Sequence, residues 1–175
     1  MILANYNKVN ITFCGMMGSG KSIVGSKFAK IINFKYLDTD SFIEEKTGKS
    51  INEIFNNHGE AVFREFEEKY VSKILYKKNY VFSLGGGVMN NLKLRKIIKK
   101  NSFNIYLEVK NSVLIKRLEN SKKRPLIQNT NIQKKIKQLI EERRGFYEKA
   151  DLIIENDRTV TDTIKMLKNE LKIYE

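Results

Sequence analysis

The sequence is poor in the residues that build disulfide frameworks and histidine-ligated metal sites. It contains one cysteine, one histidine, one proline and no tryptophan among 175 residues. A lone cysteine excludes an intramolecular disulfide, and we expect Cys14, which ends an apolar run, to be a small buried side chain rather than a nucleophile. A single histidine, His58, cannot by itself ligate a metal ion, so we assign it no chemistry.

Nothing in the sequence indicates a membrane partner or an exported protein. No apolar run is long enough to span a bilayer, and the first seven residues contain no charged segment followed by an apolar one. Because a chain with one cysteine does not depend on an oxidising compartment, we expect it in the cytoplasm.

Positive charge is abundant, with 33 Lys and Arg against 20 Asp and Glu and a net charge of +13. A basic patch is the usual sign of a nucleic-acid-binding protein. The lysines are spread over nearly every predicted helix, however, and the aromatic residues fall on apolar faces instead of between lysines. We therefore expect no nucleic-acid partner, and we interpret the charge as solvated faces that can steer anionic substrates.

The most informative local pattern is a phosphate-binding loop. Residues 15–22 read G-M-M-G-S-G-K-S, a complete match to G-x-x-x-x-G-K-[ST], between a β-branched run and a helical apolar pattern. Glycines let backbone N–H groups turn toward a phosphate beside the positive end of the helix dipole. The loop predicts nucleoside triphosphate binding, with Lys21 reaching the β- and γ-phosphates and Ser22 placed to hold Mg²⁺.

Strand and helix patterns alternate along the chain, which predicts an α/β fold with a parallel sheet and helices on both faces. We found no internal repeat and no linker, so we expect one domain over residues 1–175. The region 41–77 is predicted to be helical, with breaks near Gly48 and Gly59. The predicted strands are 9–14, 34–37, 80–84, 103–107 and 152–155, and the other predicted helices are 23–32, 91–100, 112–119, 132–149 and 161–173.

Two strand ends beyond the loop have unusual sequences. Asp38 and Asp40 follow the second strand, and three glycines at 85–87 follow the third. We expect one carboxylate to serve a metal and the other a substrate; alternatively they cap the next helix, with Asp40 or Ser41 at the N-cap. The glycines favour close approach of the backbone to a ligand over a simple turn.

Taken together, these motifs resemble the shikimate kinase family. The phosphate loop is followed by Val24-Gly25, Asp38-Thr39-Asp40, Phe63-Arg64-x-x-Glu67, Gly85-Gly86-Gly87, Arg124-Pro125-Leu126 and Arg143-x-x-x-Tyr147, in the order of the family. The resemblance implies a P-loop three-layer sandwich of the nucleoside monophosphate kinase type, with five parallel strands in the order 2-3-1-4-5. It also implies a substrate-binding helical region at about 41–77 and a lid at about 120–131.

The implied reaction transfers the γ-phosphoryl group of ATP to the 3-hydroxyl of shikimate, a step of chorismate and aromatic amino-acid biosynthesis. Shikimate and ATP are then the partners, Mg²⁺ the cofactor, and a monomer the expected state. By resemblance, Arg64 and Arg143 bracket the substrate carboxylate, Glu67 holds Arg64, and Asp40 accepts the proton of the attacking hydroxyl. Taken alone, Arg64 could equally belong to a surface ion pair. The glycines whose N–H groups are expected to approach the substrate are Gly85, Gly86 and Gly87.

On the nucleotide side, the resemblance implies that Asp38 and Ser22 hold Mg²⁺, and that Arg124 closes over the phosphates as a third catalytic residue beside Asp40 and Lys21. Ile23 stands where the family commonly has Thr, so a hydroxyl contact to the α-phosphate is expected to be missing. Arg117 is either a neighbour of the adenine or a solvated helix residue. The expected ATP-binding residues are Gly15, Gly18, Ser19, Gly20, Lys21, Ser22, Ile23, Arg117, Arg124 and Arg158.

Three other functions remain as alternatives to this interpretation. A gluconate or nucleoside monophosphate kinase has the same fold but lacks this combination of Asp-x-Asp, Phe-Arg-x-x-Glu and three glycines. A non-catalytic regulatory module would bind only nucleotide, yet this chain retains Lys21, Asp40 and Arg124. A basic nucleic-acid-binding protein is the third.

Overall fold

The computed structural model of the chain describes residues 8–119 and 131–173. In these ranges five parallel strands form one sheet with the order β2-β3-β1-β4-β5. This topology confirms the predicted fold and places β1, which leads into the phosphate loop, at the centre of the sheet. The strands are β1 (Asn10–Cys14), β2 (Lys35–Asp38), β3 (Tyr80–Ser83), β4 (Ser102–Glu108) and β5 (Leu152–Glu155).

Helices connect the strands and cover both faces of the sheet. In the described residues they are α1 (Lys21–Ile31), α2 (Thr39–Thr47), α3 (Ile51–Ile74), α4 (Leu92–Asn101), α5 (Asn111–Leu118), α6 (Ile132–Tyr147) and α7 (Val160–Glu170). A 3-10 turn at Val88–Asn90 follows the three glycines. No helix of the described residues is long and apolar enough to cross a membrane.

The core is divided by the sheet into two apolar clusters. On one face, Ile11 and Phe13 of β1 pack with residues of α1 and α7, among them Phe28 and Leu167. The other face carries a larger cluster contributed mainly by α3, α4 and α6. Successive strand residues point to opposite faces, and all five residues of β1 are buried. Its two polar residues, Asn10 and Thr12, are buried with hydrogen-bond partners.

The predicted breaks in the 41–77 region are confirmed. Gly48 ends α2 with φ 65°, and Ser50 then starts α3 with a capping box completed by Glu53. Gly59 has φ 81° and ψ 173°, which interrupts α3. The second part of α3 therefore begins a new direction at Glu60, one turn before Arg64.

The structure also refines the predicted start of α1. Helix α1 begins at Lys21, two residues before the predicted start, because the lysine and serine of the motif already belong to its first turn.

Cys14 is buried, as predicted, and burial raises the pKa of its thiol to about 12. Most of the segment predicted to be a lid, 120–130, lies outside the described residues.

Candidate active site

Two adjoining cavities lie at the carboxyl ends of β1, β2 and β3. The larger, which we call the loop cavity, has a volume of about 680 Å³ and is lined by the phosphate loop, Asp38 and Asp40. The smaller, which we call the arginine pocket, is lined by Arg64, Glu67, Arg143 and again Asp40. Carboxyl ends of strands are where open α/β sheets bind ligands, and Asp40 lies where the two spaces meet.

The phosphate loop has the backbone conformation that its glycines allow. Gly18 and Gly20 have φ of 77° and 90°, a region that other residues rarely adopt. The Nζ of Lys21 donates to the carbonyls of Gly15 and Met16 at 2.9 and 2.8 Å. These carbonyls hold the ammonium group at the mouth of the loop, on the side of the cavity that Gly18, Gly20 and Lys21 line.

Ser22 and Asp38 are brought together, as a shared metal role requires. The Oγ of Ser22 donates to Oδ2 of Asp38 at 2.6 Å, and the Tyr36 hydroxyl lies 3.5 Å from the same oxygen. A hydroxyl and a carboxylate are hard oxygen ligands, the donor type that Mg²⁺ takes alongside phosphates and water. The described residues contain no cluster of three or more His, Cys, Asp or Glu side chains that could hold a metal ion. The pair on its own supplies two oxygen ligands of the type that Mg²⁺ takes.

The Asp38–Asp40 pair differs from the expected extended geometry. Asp38 is itself the N-cap of α2, since its Oδ1 accepts from the backbone N–H groups of Asp40 and Ser41. Asp40 is already helical, so neither it nor Ser41 is the cap. Capping and metal binding are thus not alternatives for Asp38: one carboxylate oxygen caps the helix and the other faces Ser22.

The three glycines allow close packing, and none of them has positive φ. A Cβ at Gly85 would overlap Oδ1 of Asp40, and one at Gly87 would overlap the guanidinium of Arg64. The Gly85 N–H donates to the Thr39 hydroxyl at 2.7 Å, and contact of this glycine with the substrate stays a prediction. Thr39 is buried and sits between the two aspartates, so it ties the ends of β2 and β3 together.

Arg64 is held by two carboxylates on its own helix. Its Nη1 donates to Oε2 of Glu67 at 2.8 Å, which confirms the predicted pairing. Glu60, which the sequence analysis missed, accepts from Nε and Nη2 at 3.2 and 2.8 Å. Spacings of three and four residues place all three side chains on one helix face, and this i,i+4 signal could have identified Glu60. Arg64 is therefore not part of a simple surface ion pair, because it pairs with two carboxylates and one of them, that of Glu67, is buried.

Glu67 is the most confined charge in the arginine pocket. Its side chain is buried, and its Oε1 has no hydrogen-bond partner among the described residues. Burial raises the pKa of this carboxyl, Arg64 and Arg143 oppose the rise, and the negative charge of Asp40 adds to it. A buried carboxylate of this kind is stable only beside positive charge, so Glu67 keeps Arg64 and Arg143 close to it.

Arg143 is a buried cation whose hydrogen bonds are only partly satisfied. It is 2% exposed, and its Nη1 donates to the Gly86 carbonyl at 3.0 Å. The Tyr147 hydroxyl, one helical turn later, donates to the same carbonyl. The Nε of Arg143 is buried without a hydrogen-bond partner among the described residues. An unsatisfied donor on a buried guanidinium is costly unless a ligand supplies the acceptor.

The remaining nucleotide-side residues are distributed unevenly. Arg117 donates to the carbonyls of Gly18 and Asn156 at 3.2 and 3.0 Å, so it braces the loop; contact with adenine stays a prediction. Ile23 lines the loop cavity and is 56% exposed. Arg158 is exposed in the segment after β5, and Arg124 lies outside the described residues.

Comparisons with known proteins give the same assignment along most of the chain. The family model described as shikimate kinase matches residues 17–172. A curated shikimate kinase from Sulfurihydrogenibium sp. (strain YO3AOP1) is 41% identical over 155 residues, which cover 89% of this chain and 92% of that protein. Among solved structures, shikimate kinase from Acinetobacter baumannii in complex with shikimate has a TM-score of 0.90 and 31% identity, covering 97% of this chain and 96% of that one.

A gluconokinase from Sinorhizobium meliloti 1021 is also similar in structure, with a TM-score of 0.59 at 14% identity, and this likeness shows the fold alone. The residues matched by the family model include Lys21, Asp40, Arg64 and Arg143, which meet at the two cavities. The chain belongs to the shikimate kinase family.

Proposed function

We propose that this protein transfers the γ-phosphoryl group of ATP to the 3-hydroxyl of shikimate. The observation that carries the proposal is the arginine pocket, where Arg64 and Arg143 line one cavity together with Asp40. A substrate that carries one carboxylate and several hydroxyls matches two cations placed beside one carboxylate. Asp40 lines both this pocket and the loop cavity, so it faces the hydroxyls while the phosphates lie beyond it.

In the arginine pocket, Arg64 and Arg143 bind the carboxylate, because a planar guanidinium donates two parallel hydrogen bonds to it. The backbone at Gly86 and Gly87 forms the floor against which the ring lies. Asp40 accepts hydrogen bonds from the ring hydroxyls and takes the proton of the 3-hydroxyl as the new O–P bond forms. Binding at both ends fixes the hydroxyl in line with the γ-phosphate.

In the loop cavity, the backbone of residues 15–20 and Lys21 surround the β- and γ-phosphates. Ser22 and Asp38 would hold Mg²⁺, which would supply positive charge beside the transferring group. Arg124 closes over the phosphates, and Arg117, Ile23 and Arg158 border the rest of the nucleotide. We also propose that the chain is a single P-loop kinase domain that acts as a monomer in the cytoplasm.

A coupled ADP-release assay tests the substrate directly. Shikimate should stimulate ADP release in the presence of Mg²⁺, while gluconate and nucleoside monophosphates should leave it at the background rate. Equal turnover with a nucleoside monophosphate would contradict the proposal. ADP or ATP binding without turnover of any acceptor would instead indicate a regulatory module.

A further inference from the structure

A buried asparagine lies behind the phosphate loop and uses both ends of its side chain. Asn156, directly after β5, is 3% exposed. Its Nδ2 donates to the carbonyl of Ser19 in the phosphate loop at 2.6 Å, and its Oδ1 accepts from the hydroxyl of Thr163 in α7. Its backbone is held as well, because its N–H donates to the Glu108 carbonyl at 2.7 Å and its own carbonyl accepts from Arg117.

The contact with Ser19 determines where the next N–H of the loop points. The described residues contain no cis peptide bond, and in a trans peptide the carbonyl and the following N–H lie on opposite edges. Drawing the Ser19 carbonyl toward Asn156 therefore turns the Gly20 N–H away from Asn156. Gly20 lines the loop cavity, so this orientation directs the N–H toward the space for phosphate.

The chemistry of the contacts fixes the orientation of the amide and explains why an aspartate could not replace it. The Ser19 carbonyl can only accept, so it must face Nδ2, and Oδ1 must then face the Thr163 hydroxyl, which can donate. Thr163 is itself positioned by α7, which begins with a capping box of Thr159 and Asp162. Position 20 must be a glycine beside this amide, since a Cβ there would lie 2.8 Å from Nδ2.

We propose that Asn156, held by Thr163, is a positioning residue that sets the phosphate loop for nucleotide binding. It touches no substrate atom and acts through the Ser19–Gly20 peptide. The inference rests on the proposed use of ATP, but it concerns nucleotide affinity alone and makes no claim about the phosphoryl acceptor.

The test compares Asn156→Ala with Asn10→Ala, a matched change at the far end of the sheet. Asn10 is also buried, and both ends of its amide are hydrogen-bonded: Nδ2 donates to the Lys77 carbonyl at 2.6 Å and Oδ1 accepts from the Tyr80 N–H at 3.0 Å. Calorimetry should show Asn156→Ala weakening ADP binding about tenfold, the size of one lost hydrogen bond to a charged group. Asn10→Ala should lower the melting temperature but leave the Kd for ADP unchanged.

Tripolyphosphate is a second probe that separates the phosphate loop from the nucleoside. Asn156→Ala should weaken tripolyphosphate and ADP by a similar factor, while the KM for shikimate stays near that of the wild type. A loss confined to ADP, an unchanged Kd for both ligands, or an equal loss in Asn10→Ala would overturn the proposal. Absence of ADP binding by the wild type would instead reject the proposed function.

A third variant covers the case in which Asn156→Ala does not fold. Thr163→Val keeps the shape of the side chain and removes only the hydroxyl that orients the amide. It should weaken ADP and tripolyphosphate binding in the same direction by a smaller factor. Wild-type affinity for both ligands in folded Thr163→Val would contradict the role given to the threonine and, with it, the positioning network.

Discussion

The loop cavity and the arginine pocket both carry cations, but they are built in opposite ways. The phosphate loop is eight consecutive residues, and its only cation, Lys21, is held by carbonyls of the same loop. The arginine pocket uses side chains from α3 and α6 that meet over the glycines after β3. One site is local in sequence, and the other exists only after folding.

This difference determines what a single substitution can do. A backbone donor survives replacement of its own side chain, so the loop is disturbed chiefly through its glycines or through neighbours that orient its peptides. In the arginine pocket each charge belongs to one side chain, and removing it leaves the partner charges buried. Substitutions in the arginine pocket should therefore separate substrate binding cleanly from nucleotide binding.

Asp40, which lies between the two sites, should show the largest effect. Asp40→Asn keeps the shape of the side chain but removes the proton acceptor, so we expect kcat to fall by about 10²–10⁴-fold with little change in either KM. Steady-state kinetics with shikimate and ATP measure this. A near-normal kcat would mean that Asp40 only positions the substrate.

Arg143 should show the next largest effect, confined to the substrate. Arg143→Ala should weaken shikimate binding by about 2–5 kcal/mol, as expected for a desolvated charge pair, and leave the KM for ATP unchanged. Arg144→Ala is the matched control, because Arg144 follows it on α6 but is 60% exposed and pairs with Glu148. If both variants raised the KM for shikimate equally, shikimate binding would depend on the net charge of the protein rather than on a specific contact with Arg143.

The same contrast explains what could be predicted from the sequence. The phosphate loop and the breaks at Gly48 and Gly59 follow from local patterns, because periodicity and glycine positions determine them. The prediction of the strand order comes from the resemblance to the shikimate kinase family. The hydrogen-bond partners of buried polar groups do not follow from such local patterns. Thr39 binding the Gly85 N–H and Asn156 binding the Ser19 carbonyl join residues far apart in the chain, and a lone threonine or asparagine carries no spacing signal.

Glu60 should have a smaller effect, which tests how a carboxylate beside Arg64 changes substrate binding. It occupies the Nε and Nη2 edge of Arg64, so it competes with the substrate carboxylate. Glu60→Gln removes that charge and should lower the KM for shikimate by a few-fold, since a half-exposed pair contributes about 0–1 kcal/mol. Glu65→Gln, an exposed residue of the same helix, should have no effect. A higher KM in Glu60→Gln would show that Glu60 holds Arg64 in its binding geometry.

Glu67 should give the smallest effect, visible in stability rather than turnover. Because burial raises the pKa of Glu67 in the folded protein, the folded state binds more protons than the unfolded state above the ordinary value of 4.5. The free energy of unfolding of the wild type, relative to Glu67→Gln, should therefore fall as pH rises from 4.5 through the raised pKa. Urea unfolding across this range measures the difference, and a rise with pH would contradict the assigned shift.

Recognition of a substrate carboxylate by the arginine pocket is the central claim, and the methyl ester of shikimate tests it most directly. The ester keeps the ring and all hydroxyls but removes the negative charge. For the wild type we expect kcat/KM to be about 10²-fold lower with the ester, as for a lost charge-assisted contact. Arg143→Ala keeps Arg64, so its preference for the acid should be much smaller than that of the wild type. Full preference for the acid in Arg143→Ala would contradict the account.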